Sequence, residues 1–258
     1  MRGPVRLPPP ATPVRDVIDQ LKPHADAGEP RAACRLGMDL TRCYQARGVE
    51  KLVEGEARRL RSVDPASDEA ARVRRSMEEL TRTVAADSVA CMGVPDQALD
   101  AAWVYLLRAG LAGNVTAMAQ FATNPPLPYE SVIDNIEGWT AYRDHAGAFL
   151  LRAVEAGDVR AAWMATFQSS TGMGPGGAVL PRDPQRALAF AYAIRPLVDS
   201  DGARQVEHVI ARSRAEAGID TARAERVGDA LRARAFATAP KAASINRMGT
   251  GDAHRCAE

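Results

Sequence analysis

Three stretches of the chain repeat one pattern, and a repeat of that size constrains the fold more than any other feature. Leu21, Ala27-Gly28 and Ala32 share a register with Leu106, Ala112-Gly113 and Ala117, and with Leu150, Ala156-Gly157 and Ala161. Internal repetition of this kind points to stacked supersecondary units, because each unit buries its apolar face only against a neighbour. Each copy reads as helix, glycine stop, short link, helix. Leu, Ala and Arg favour helix. Gly28, Gly113 and Gly157 stand where a helix end turns into the left-handed backbone region, which glycine enters without steric cost. The next residue is Glu29, Asn114 or Asp158, suited to cap the following helix or to favour its positive end. The alanine one turn later lets two antiparallel helices approach closely. The interval between the first two copies is about twice that between the last two. The segment between them, about 47–95, is therefore expected to hold a degenerate copy or an inserted helix.

The rest of the chain divides at its prolines and capping residues. Helices are expected over 13–27, 31–46 and 49–61. Ser67-Asp68-Glu69 caps a long helix to about Ala90, with Val73, Met77, Leu80 and Val84 on one stripe. Further helices are expected over 95–112, 115–123, 138–156 and 159–170, with a turn or two in 129–135. Asn124-Pro-Pro-Leu-Pro128 breaks the backbone. Asp183-Pro184 reads as an N-cap followed by an N1 proline, opening a helix to about Arg195. Two amphipathic helices, about 201–217 and 220–236, close the array, with Arg212, Arg214, Arg223, Glu225 and Arg226 as a polar outer face. Residues 1–12 read as a disordered lead-in, 13–237 as the helical domain and 238–258 as a disordered tail.

The third copy carries a resemblance. Phe149 to Gly157, Asp158, Ala161, Gly172-Met-Gly174 and then Asp183-Pro-Gln-Arg186-Ala187 follow the order of Sel1-like repeats. These form an α/α solenoid family related to tetratricopeptide repeats. An insertion, 175–182, lengthens its loop. The second copy has Asn124 to Pro128 in place of the Gly-x-Gly loop, and the first, with Pro23 and Pro30, is weaker still. The resemblance spans about residues 12–195, apart from roughly 47–95. It implies an all-α, right-handed superhelix of helix pairs. It further implies a protein-interaction scaffold, commonly of bacterial envelope or signalling proteins, in which catalysis is not the usual role.

Composition narrows the partner classes. The chain has 258 residues, 46% hydrophobic and only 5% aromatic, as helix-on-helix packing through alanine would give. Its 33 basic and 32 acidic residues balance to a net charge of +1, which argues against a nucleic-acid partner. No apolar run is long enough to span a membrane. The opening Met1 to Pro10 lacks the apolar centre of a signal peptide. The chain as given is therefore expected in the cytoplasm, or in the periplasm if an export segment precedes it.

The four cysteines bear on the same question. Cys34 and Cys43 lie about 13.5 Å apart along one expected helix at about 1.5 Å per residue, too far to bridge. Cys43 and Cys91 can pair if the helices between them form a hairpin, or can serve as small core residues along with Cys34. A bridge would argue for an oxidising compartment. Cys256 reads as free in a polar tail. No Cys-x-x-Cys or paired Cys/His spacing suggests a metal, and no cofactor is expected.

Candidate catalytic sets do not assemble. Gly172 to Gly177 lacks the Gly-Lys-[Ser/Thr] ending of a phosphate loop and follows no strand. No Gly-x-Ser-x-Gly elbow occurs. His24, His145, His208 and His254 read as structural, although His145 beside Asp144 would favour a hydrolase if a serine or a further acid joined them. Helix pairs of this type offer a face built from the first helix of each pair. Trp139, Tyr142, Arg143 and Tyr105 are therefore the candidate partner-binding residues, while Trp103 and Trp163 are assigned to the core. The expected function is a non-catalytic protein- or peptide-binding scaffold; the alternative is an envelope hydrolase acting on cell-wall material.

Overall fold

Each of the three repeated blocks bends the chain by the same set of hydrogen bonds. The computed structural model describes residues 5–128, 132–174, 177–239, 245 and 255–256, without the side chain of Thr83. Among them are helices α1 (Val14–Asp26), α2 (Pro30–Leu60), α3 (Asp68–Ala90), α4 (Asp96–Asp100), α5 (Ala102–Leu111), α6 (Val115–Thr123), α7 (Ile136–Glu155), α8 (Val159–Thr171), α9 (Pro184–Ile194), α10 (Ser200–Arg214) and α11 (Thr221–Ala235). No strand occurs among the described residues, so the fold is all-α.

At the first bend Gly28 N–H donates to the Ala25 carbonyl and Glu29 N–H to that of His24, both at 3.0 Å. Gly113 and Asn114 repeat this on Gly110 and Ala109, and Gly157 and Asp158 on Val154 and Ala153. This paired closure of a helix C-terminus needs a left-handed residue. The three glycines supply it, at φ +86°, +97° and +86°. The following side chain then caps the next helix: Asn114 Oδ1 accepts from Ala117 N–H at 2.9 Å and Asp158 Oδ1 from Ala161 N–H at 2.8 Å. Glu29 accepts from Ala32 N–H in the same way. The repeated leucines and the alanines four residues past each glycine (Ala32, Ala117, Ala161) are buried, Leu21 at 1% exposure and the others at 0%, while Ala27, Ala112 and Ala156 beside the glycines are exposed. The four positions shared in sequence are thus one hinge, built three times.

Packing follows chain order. α1 lies on α2, α2 on α5, α5 on α6, α6 on α7, α7 on α8 and α8 on α9. Glycine permits the tightest crossings. A Cβ on Gly37 of α2 would meet the Leu106 backbone N at 3.0 Å, and one on Gly228 of α11 would meet the Ala189 carbonyl O at 2.6 Å. α9 is apolar all round and is enclosed by α8, α10 and α11, so that every residue from Ala187 to Ile194 is buried.

α3 packs on α2 alone of its major neighbours and forms with it a hairpin arm. α2 runs unbroken through Gly48, where the sequence suggests two helices. A helical glycine costs only about 1 kcal/mol, and no proline forces a break there. The expected helix over 95–112 instead divides at Ala101 into α4 and α5. Within the hairpin Val73 and Val84 are buried on the predicted stripe, with Met77 and Leu80 half-buried. Cys43 is joined to Cys91 by a disulfide across a Cα–Cα distance of 5.4 Å. Arg42 meets Asp87 at 3.6 Å and Ser88 donates to Glu50 at 2.7 Å.

Both ends of the chain correct the sequence reading. The lead-in is tied down from Val5: Arg35, 1% exposed, donates to the Pro8 carbonyl at 2.7 Å and to the Pro9 carbonyl at 3.1 Å. Prolines lack an N–H but keep their carbonyls, and a buried guanidinium holds two of them. Arg35 is neutralised in turn by Asp39, at 2.6 Å. Cys256 is not free but disulfide-bonded to Cys34, and it is fully buried. Beside it Arg255 meets the Asp158 carboxylate at 3.1 Å, on the oxygen that the cap leaves open. Ile245 is buried against Gly202. His254 lies outside the described residues.

Candidate functional site

The aromatic residues singled out in the sequence lie in the core, so the binding surface expected on them is corrected. Tyr142 is 1% exposed, packs edge-on against Trp139 and donates its hydroxyl to the Ala122 carbonyl at 3.2 Å. Trp139 donates Nε1–H to the Pro128 carbonyl at 3.3 Å, pinning the proline loop onto α7. Tyr105 is buried and donates to Asp26 at 3.0 Å, tying α5 to the end of α1. Of the four, only Arg143 is exposed, 3.9 Å from Asp144. The physical reason is that this face of α7 packs on α6 and the proline loop, where Phe121 and the Ala122 and Pro128 carbonyls enclose the rings. Trp103 and Trp163, assigned to the core, are only half-buried.

The depression that holds His145 and Asp144 also holds Glu137, with a volume of about 390 Å³, but α7 alone lines it. Glu137 and His145 are about 12 Å apart along that helix at about 1.5 Å per residue, and among the described residues no serine lines the depression. His145 stacks on Phe149 instead, at 5.9 Å. A nucleophile, base and orienting group do not converge there. The glycine-rich loop after α8 is likewise used internally. Gln168, fully buried, accepts from the N–H groups of Val179 at 3.0 Å and Leu180 at 3.2 Å. Within the run itself Gly172 N–H donates to the Gln168 carbonyl at 2.7 Å, Met173 N–H to Thr171 Oγ1 at 3.1 Å and Gly177 N–H to the Gly174 carbonyl at 3.1 Å, so these amides are already engaged. Among the described residues no cluster of His, Cys, Asp and Glu is arranged to hold a metal.

A groove that sequence reasoning missed runs between α8 and α10, with a volume of about 570 Å³. α8 presents Trp163 and Phe167, one turn apart. α10 presents Arg204, His208 and Arg212 on successive turns, with Val209 between. Asp201 takes up Arg204 at 2.8 Å. The signal was present in the sequence as two spacings of four, but only the shared packing of α8 and α10 on α9 sets them side by side. Electrostatic shifts lie elsewhere. The hydrogen bond from Lys22, then that from Tyr105, holds the Asp26 carboxyl below its ordinary value, while burial pushes Asp39 and Asp87 up.

No protein-family model, no curated protein and no solved structure matches this chain. No helix among the described residues is long and apolar enough to cross a membrane.

Proposed function

We propose that the chain is a non-catalytic protein- or peptide-binding scaffold, built as a right-handed solenoid of Sel1-like helix pairs with the α2–α3 arm inserted. The observation that carries this reading is the threefold hinge. The same glycine, cap and buried alanine recur with the same hydrogen bonds at 28–32, 113–117 and 157–161, and helices between them pack on their chain neighbours. Two buried disulfides favour residence in an oxidising compartment, the periplasmic alternative, over the cytoplasm.

The test is a peptide-display selection against the oxidised full chain, run beside turnover assays on cell-wall material. Enrichment of a peptide motif without turnover is expected. Turnover without any enriched motif would establish the hydrolase reading instead.

A further inference from the structure

We infer that the α8–α10 groove is the docking site of this scaffold and that it takes a short linear segment of a partner protein, an apolar anchor side chain flanked by carboxylates. This rests on the scaffold reading above. The two walls of the groove have different chemistry. Trp163 and Phe167 form an apolar wall, and Trp is among the residue types that most often anchor interfaces. The facing wall is basic, and its charges are not all spent. Arg204 is neutralised by Asp201, but among the described residues Arg212 meets no carboxylate, and the His208 imidazole lies one turn before it. Nearby arginines differ in this respect: Arg182 is paired with Glu216, Arg195 with Glu207 and Arg232 with Asp229. The Arg212 guanidinium thus sits where an incoming carboxylate can meet it next to apolar surface.

A third feature points the same way. Ser170 lines the groove at 1% exposure, and among the described residues its Oγ has no hydrogen-bond partner. Its helical neighbours Thr166 and Thr171 each bond back to the carbonyl one turn earlier, at 2.8 Å. An unpaired buried hydroxyl is costly, and a ligand carbonyl or carboxylate that turns it outward removes that cost. The volume of about 570 Å³ falls within the range of roughly 300–1,000 Å³ in which ligands are commonly held. One unspent guanidinium is too little charge for a nucleic-acid track, and beside an apolar wall it suits an acidic peptide carrying an apolar anchor.

The test uses three sets of fluorescent synthetic peptides on the oxidised full chain. One carries Leu or Phe flanked by Asp and Glu, one the same anchors flanked by Lys, and one Ser in place of the anchor within the acidic flanks. The acidic anchored set should bind at least roughly tenfold tighter than the other two. Arg212→Glu should weaken that set roughly tenfold while raising affinity for the basic set, with an unchanged melting curve because Arg212 is exposed. Trp163→Ala should weaken all anchored peptides. Acidic peptides that bind Arg212→Glu and Trp163→Ala as well as the parent overturn the groove and leave the scaffold reading standing, as does a preference for the basic set. Failure of all three sets together with failure of the display selection overturns both.

Discussion

At the scale of the residue, the hinge glycines are not equivalent, and their differences are measurable. A Cβ on Gly28 or Gly113 meets nothing within 4 Å, so alanine there carries only the left-handed backbone cost, about 1–2 kcal/mol. A Cβ on Gly157 meets the Ala235 carbonyl oxygen in direct overlap. Gly157→Ala should therefore destabilise by clearly more than Gly28→Ala or Gly113→Ala in denaturant melts; equal losses would show that α11 does not press on that bend. Arg35 gives a second case. Removing it strands the buried Asp39 carboxylate and two proline carbonyls, so Arg35→Ala should cost about 3–5 kcal/mol. The apolar double replacement Arg35→Met with Asp39→Leu should recover only part of this, because the Pro8 and Pro9 carbonyls still lose their donor. Asp26 supplies the pH dependence. Its folded pKa lies below 3.8, so its contribution is present above pH 3.8 and is lost as pH falls through the lowered value. In Tyr105→Phe that pKa should move up toward 3.8 yet remain below it, since the Lys22 hydrogen bond is the larger cause. A carboxyl NMR titration reads both values. Asp39 has the opposite sign: burial raises its pKa, so its contribution is fully present below pH 3.8 and is lost as pH rises through the raised value.

Among the elements, the α2–α3 arm is the part whose order depends most on a cross-link. Residues 47–60 of α2 have no fully buried member, and in α3 only a few apolar side chains face α2. Cys43→Ser with Cys91→Ser should cost about 2–4 kcal/mol. Amide exchange should rise through α3 while α8 and α9 keep their protection; uniform loss across all helices would mean that the arm and the array unfold as one. What the sequence disclosed at this scale follows a physical rule. Local signals were readable: the Gly28, Gly113 and Gly157 stops, the Ser67 and Asp183 caps and the stripe of α3 all depend on contacts within a few residues. Signals carried by distant partners were not. Arg35 reaches back to Pro8 and Pro9, Cys256 finds Cys34, and Trp139 and Tyr142 turn inward onto α6 and the proline loop. The groove belongs to this second class, since α8 and α10, some forty residues apart, are set side by side by their shared packing on α9.

For the whole molecule, both disulfides converge on α2, at Cys34 and Cys43. Intact mass of chain isolated from its host without reductant should be lower by the four hydrogens of two disulfides, and a full complement of thiols would refute the oxidising compartment. The Cys34–Cys256 link has a further effect on how the molecule breaks. It makes a covalent circuit of everything between those two residues. A single protease nick in the exposed tip of the arm or in the glycine-rich loop frees no fragment: both pieces stay tethered and migrate as one species until the sulfur bridge is reduced.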